Sequence, residues 1–98
     1  MVHEVQALQD SSIDEMRQLV SEIARVLVDQ PEEVVVEALA DADATMLRLR
    51  VAPTDIGKVI GKQGRTARSL RTILSAASMK FHHRFSLDIL EETPVSHV

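Results

Sequence analysis

Residues 55–68, Asp-Ile-Gly-Lys-Val-Ile-Gly-Lys-Gln-Gly-Arg-Thr-Ala-Arg, gather the side chains best suited to chemistry in this chain. All three glycines, Gly57, Gly61 and Gly64, fall inside the stretch, interleaved with Lys58, Lys62, Arg65 and Arg68. Gly61 and Gly64 bound a four-residue turn with Lys62 and Gln63 at its tip. Glycine adopts positive φ and lets a second backbone approach closely. A helix that starts after Gly64 offers unpaired N–H groups and the positive end of its dipole, a natural seat for phosphate. The chemistry this spacing supports is capture of an anion, with a phosphate backbone as the leading ligand.

Bond-making chemistry has no comparable constellation. The turn lacks the Gly-x-x-x-x-Gly-Lys-Ser/Thr spacing of nucleotide hydrolysis. His82 and His83 are adjacent, so they face different directions and read as a solvent-exposed pair rather than metal ligands. Asp29, Glu32, Glu33 and Glu37 span a loop and a strand and read as a solvated edge. No nucleophile, base and orienting group recur at a recognisable spacing. The expectation is a protein that is not an enzyme, with no catalytic residue, no metal and no cofactor.

Charge is distributed in blocks. Between Arg48 and Arg84 nine basic residues face one acid, Asp55, for a local charge of +8, while the remainder carries −12 and the whole chain −4. Polyanion association follows local potential rather than the total, so the site belongs in the basic half. At 98 residues, 45% hydrophobic and 27% charged, the chain has the size and composition of one folded domain. It has no cysteine, its start MVHEVQALQD lacks the basic and apolar regions of a signal peptide, and no apolar run approaches the roughly 18 residues of a membrane span. A cytoplasmic protein with no membrane partner is the simplest reading.

The elements that must position the turn follow from hydrophobic period and breakers. Residues 1–11 show no sustained period and read as a flexible tail. Ser12-Ile13-Asp14-Glu15 has the form of a capping box. Ile13, Met16, Val20, Ile23 and Leu27 then recur at helical spacing, which predicts a helix over 13–28 that Pro31 stops. The β-branched run at 34–39 and the alternation at 45–51, with Leu47, Leu49 and Val51 inward, predict an antiparallel hairpin. Arg48 and Arg50 fall on its outer face. Pro53 ends the second strand, and Asp55 or Thr54 is placed to cap a short helix. After the glycine turn, Ala67, Leu70, Leu74, Ala77 and Phe81 mark the buried face of a longer helix, while Arg65, Arg68 and Arg71 cover a different arc. Phe85, Leu87 and Ile89 alternate inward along a third strand, and residues 91–98 read as a flexible tail. The order α-β-β-α-α-β predicts an α+β, two-layer sandwich in which three helices cover one face of a three-stranded sheet.

Ile60-Gly61-Lys62-Gln63-Gly64, set between two helices in this element order, resembles the Ile-Gly-x-x-Gly signature of KH domains in their type II arrangement. The runs VDQPEEVVVE and LRLRVAPTDIGKVIGKQGRTARSLRTIL are similar to those of small bacterial single-KH proteins of the KhpA type, so the domain is expected over residues 12–90. One departure is Ala67, where many KH domains place a larger aliphatic residue.

The resemblance implies a loop that clamps the backbone of about four single-stranded nucleotides. By position, Gly61 and Gly64 would admit phosphates, Lys62 and Gln63 would contact them, and Lys58 and Arg65 would add charge. Gly57 and Ile60 would form the groove floor, with Arg68 at the rim and either the hairpin or the third strand as opposite wall. Only Phe81 and Phe85 are aromatic, and both lie in apolar stripes, which excludes a base-stacking platform. The resemblance further implies an RNA chaperone or post-transcriptional regulator. It also implies a homodimer, or a heterodimer with a larger KH/R3H protein of the Jag (KhpB) type. Single-stranded DNA binding, and use of the fold as a protein-docking surface, are the alternatives.

Overall fold

The computed structural model describes the backbone of residues 2–91 and the side chains of residues 11–91. Helix α1 spans Val2–Leu27. Its start lies well before residue 13, so residues 2–11, expected as a tail, carry helical backbone. Residues 2–11 contain neither Gly nor Pro, and extending an existing helix adds one hydrogen bond for each residue fixed. Ser12 therefore sits inside the helix rather than at its cap. The expected tail at 91–98 lies, from residue 92 on, outside the described residues. The helix buries Val20 and Ala24, Val28 just past its end is buried beside them, and Ile13, Met16 and Ile23 pack at the margin of the core. Leu27, expected on this stripe, remains exposed. The buried row follows i, i+4, i+8 instead.

Strands β1 (Val35–Ala40) and β2 (Ala44–Arg50) form the antiparallel hairpin, with Ala38 opposite Leu47 and Val36 opposite Leu49. A short helix α2 (Ile56–Ile60), a long helix α3 (Arg65–Phe81) and strand β3 (Arg84–Ile89) follow. β3 lies parallel to β2, in the order β1-β2-β3, with Leu47 beside Leu87 and Leu49 beside Ile89. Parallel neighbours need a crossover connection, and α2, the glycine turn and α3 supply it. The chain is an α+β sandwich in the α-β-β-α-α-β order, as the periodicity predicts.

One core joins the layers. Leu47 and Leu49 from β2, Phe85, Leu87 and Ile89 from β3, and Val59, Ala67, Leu70 and Leu74 from α2 and α3 are buried together with the α1 row. Ala67 is thus a packing residue, close against the sheet. His83 departs from expectation: it is 4% exposed, and its Nε2 lies 2.7 Å from Thr45 Oγ1. His82 adopts the left-handed conformation (φ 53°) that ends α3. The reversal there leaves His82 exposed and brings His83 beneath the sheet end, edge-on to Phe85. On the outer sheet face Arg48 Nε meets its cross-strand neighbour Asp88 at 3.2 Å. Among the described residues no helix is long and apolar enough to cross a membrane.

Leu74 is 1% exposed at the centre of this core. Leu74→Ala removes its contacts and leaves a cavity, so it is expected to cost about 3 kcal/mol, read as a lower urea midpoint at unchanged slope.

Candidate nucleic-acid interface

The loop between α2 and α3 owes its shape to three left-handed residues. Gly61 has φ 79° and ψ 170°, a region open in practice only to glycine. Gln63 (φ 56°, ψ 26°) and Gly64 (φ 72°, ψ 15°) then reverse the chain into α3. A Cβ on Gly61 would collide with the Thr66 side chain and come within 2.9 Å of the Thr66 backbone nitrogen. A Cβ on Gly57 or Gly64 would meet nothing within 4 Å. Gly61 is therefore required by fit as well as by dihedral. The Gly61 N–H donates to Gly57 O (2.9 Å) and the Gly64 N–H to Gly61 O (3.1 Å). Among the described residues nothing accepts from the Lys62 or Gln63 N–H. These two donors stand at the tip of a turn whose side chains Lys62, Gln63, Arg65 and Arg68 are all exposed. Successive free N–H groups in such a turn make an anion-binding concavity.

Asp55 holds this unit to the rest of the domain. It occupies the N-cap position of α2 but makes no side-chain cap bond there. Its carboxylate is 1% exposed and accepts the Asp29 N–H (3.2 Å) and the Gln30 N–H (3.0 Å), beyond the end of α1. Lys58 Nζ lies 3.5 Å from the same carboxylate and 3.3 Å from Asp29 Oδ2. Burial works to raise the Asp55 carboxyl. The Asp29 and Gln30 N–H donors, joined by Lys58, outweigh it, so Asp55 titrates below the usual carboxylate range. The Asp29 carboxylate, by hydrogen bond and by charge, raises the Lys58 ammonium above its usual range. Lys58 is therefore engaged by two carboxylates, unlike Lys62, Arg65 and Arg68.

The third strand lies beside α3. β3 is an edge strand packed against α3, while the hairpin's outer strand lies at the far edge of the sheet. The Arg84 N–H donates to Asp43 O and the Leu90 N–H to Leu49 O. Alternate residues of β3 thus point their polar groups toward β2, and Phe85, Leu87 and Ile89 point theirs to the free edge. Ser78 Oγ accepts the Phe85 N–H at 2.9 Å, and Arg71 Nη2 donates to Leu87 O at 3.3 Å. A cavity of about 240 Å³ lies in this seam, lined by Arg71, Leu74, Ser75, Phe85, Ser86 and Leu87.

A family model described as the KH domain of KhpA/KhpB matches residues 17–89. The chain belongs to this family. RNA-binding protein KhpA of Clostridium acetobutylicum is 47% identical over 75 residues, covering 76% of this chain and 100% of that protein. The KhpA of Treponema pallidum is 49% identical, with 76% and 92% covered, and that of Halalkalibacterium halodurans 47%, with 78% and 100%. No solved structure matches the chain.

Within this KH domain the structure brings Gly61, Lys62, Gln63, Gly64, Arg65 and Arg68 together on the loop and the first turn of α3. Gly57 lies exposed on α2, and Ile60 is half-buried against the core. Two features of the KH domain escape the sequence. The Asp55 carboxylate binds N–H groups 25 and 26 residues away, and no local pattern names them. Arg71 shares an arc with Arg65 and Arg68, but its acceptor on β3 becomes visible only when the layers pack.

The close approach to Thr66 makes Gly61→Ala strongly destabilising, whereas Gly57→Ala, in open space on a helix, should hold or raise the melting temperature. Differential scanning fluorimetry separates the two. The lowered Asp55 pKa means its stabilisation is complete above the unfolded value of about 4 and is lost as pH falls through the folded one. Asp55→Asn should therefore be less stable than wild type at pH 7, with the gap closing below about pH 4. A gap that stays constant in urea melts across that range would refute the assignment.

Proposed function

We propose that the chain binds single-stranded RNA by clamping its sugar-phosphate backbone on the Gly61–Gly64 loop. The observation that carries this reading is the pair of unpartnered Lys62 and Gln63 N–H groups at a turn ringed by exposed Lys62, Arg65 and Arg68. Phosphate oxygens accept from those N–H groups while the cations neutralise charge, and Gly61 and Gly64 keep side-chain bulk away. Bases then lie over Gly57 and Ile60 toward the free edge of β3. There the Leu87 N–H and the Ile89 N–H and C=O have no partner among the described residues, so they stand ready as base readers. The KhpA relatives are named RNA-binding proteins, which supports RNA over DNA as ligand. Lys58, held by Asp29 and Asp55, orients α2 and contributes less to the phosphate than Lys62 does.

A cytoplasmic role as an RNA chaperone or post-transcriptional regulator fits a small groove that reads about four nucleotides. Pairing as a homodimer, or with a KhpB-type KH/R3H protein, would add avidity through effective concentration.

Lys62→Asp combined with Gln63→Asp sets two carboxylates where phosphates sit and is expected to lower affinity for a single-stranded RNA oligomer by at least tenfold. Roughly three phosphate contacts give a log–log salt slope of about −2 for the wild type, with a shallower slope in the double variant. Unaltered affinity, or a wild-type slope near zero, would exclude the clamp. Competition with the matched DNA oligomer measures the preference for RNA.

A further inference from the structure

We propose that the exposed carboxylate of Asp29 is a built-in competitor for RNA phosphate, holding Lys58 back until a phosphate displaces it. This rests on the RNA-binding reading above and adds an affinity-setting residue outside the loop. Lys58 Nζ stands between two carboxylates, 3.3 Å from Asp29 Oδ2 and 3.5 Å from Asp55 Oδ1. The two are not equivalent. Asp55 is buried and both of its oxygens accept backbone N–H groups, so it cannot leave without breaking the joint between α1 and α2. The Asp29 side chain is 76% exposed, and among the described residues its carboxylate has Lys58 as its one partner. What Asp29 gives to the joint is its main-chain N–H, donated to Asp55. That bond survives when the side chain swings away.

The held ammonium lies close to the site. Lys58 precedes Gly61 by one helical turn, about 4.5 Å along the α2 axis, and its four-carbon stem is flexible. Lys62, Arg65 and Arg68 have no carboxylate within ion-pair distance among the described residues, so they meet a phosphate directly. Lys58 must instead exchange one anion for another. The hydrogen bond and charge of Asp29, which hold the ammonium protonated, are given up in that exchange, while Asp55 stays in contact. A solvent-exposed ion pair is worth little. The exchange is therefore open to a ligand that brings several phosphates, and it lowers the affinity by a corresponding factor.

The test titrates the full chain with oligouridine by fluorescence polarisation over a series of potassium chloride concentrations. Asp29→Asn keeps the main-chain bond to Asp55 and removes the competing charge. It is expected to bind about 2- to 5-fold more tightly than wild type at low salt, the worth of one exposed ion pair. Freeing one more cation for phosphate should also steepen its log–log salt slope by about 0.7, so the two forms converge as salt rises. In a Lys58→Met background the same Asp29→Asn change should give no gain. A gain of equal size without Lys58 assigns Asp29 a general repulsion of RNA and overturns the proposal. So does an Asp29→Asn variant that binds no more tightly than wild type. The slope needs no Lys58 variant and decides the question by itself if Lys58→Met does not fold: an unchanged slope overturns the proposal. Failure of wild type and Asp29→Asn alike to bind the oligomer would instead overturn the RNA-binding reading itself.

Discussion

The buried Asp55 carboxylate is the contact on which the placement of the Gly61–Gly64 loop depends. Its two oxygens accept backbone N–H groups from Asp29 and Gln30, where the chain leaves α1 and turns toward β1. Those N–H groups lie past a helix end and would otherwise need water or a cap. The same carboxylate sits one residue before α2 and attracts Lys58 one turn along it. One side chain therefore joins the exit of the first helix to the entry of the second. The glycine turn, one short helix further on, inherits its position from that joint.

The loop itself is rigid for a different reason. Three residues of left-handed conformation within four positions leave little freedom, and Thr66 packs against the Gly61 Cα so closely that no side chain fits there. Two backbone hydrogen bonds close the turn, and the Lys62 and Gln63 N–H groups have no partner among the described residues. α3 then anchors the assembly, burying Ala67, Leu70 and Leu74 while Arg65, Arg68 and Arg71 remain at the surface. Under the proposed phosphate clamp, donors held in this way are preorganised before a ligand arrives, so little ordering cost would accompany capture. Lys58, Lys62, Arg65, Arg68 and Arg71 are concentrated along this segment of an otherwise acidic chain, which raises the local positive potential around the loop.

Much of the architecture was legible because its signals are local. Leu47, Leu49 and Val51 alternate, Ala67, Leu70 and Leu74 recur at helical spacing, and Phe85, Leu87 and Ile89 alternate again; each set is buried. Periodicity reports which face is apolar and leaves the extent of an element undetermined. Hence α1 begins at Val2, ahead of the apparent cap at Ser12. Its buried row shifts from Leu27 to Val28 for a related reason: which apolar residue faces inward depends on the angle at which the helix meets the sheet. His83 shows the same limit. Adjacent histidines read as solvated, but the left-handed turn at His82 inserts the second one against Thr45.

The sequence by itself determined the element order, the glycine-bounded turn, the clustering of positive charge around it and the KH resemblance that follows. All of these depend on residue type and on neighbours a few positions apart. Only the tertiary structure decided that β3 runs parallel beside β2 at the sheet edge next to α3, that Lys58 is held by Asp29 and Asp55, and that Arg71 reaches the Leu87 carbonyl. Those contacts join residues 16 to 40 positions apart or, for Lys58, depend on the fold of the preceding loop. Hydrogen-bonding groups at such separations find one another only after hydrophobic burial has brought the layers together, and no local spacing encodes the partner.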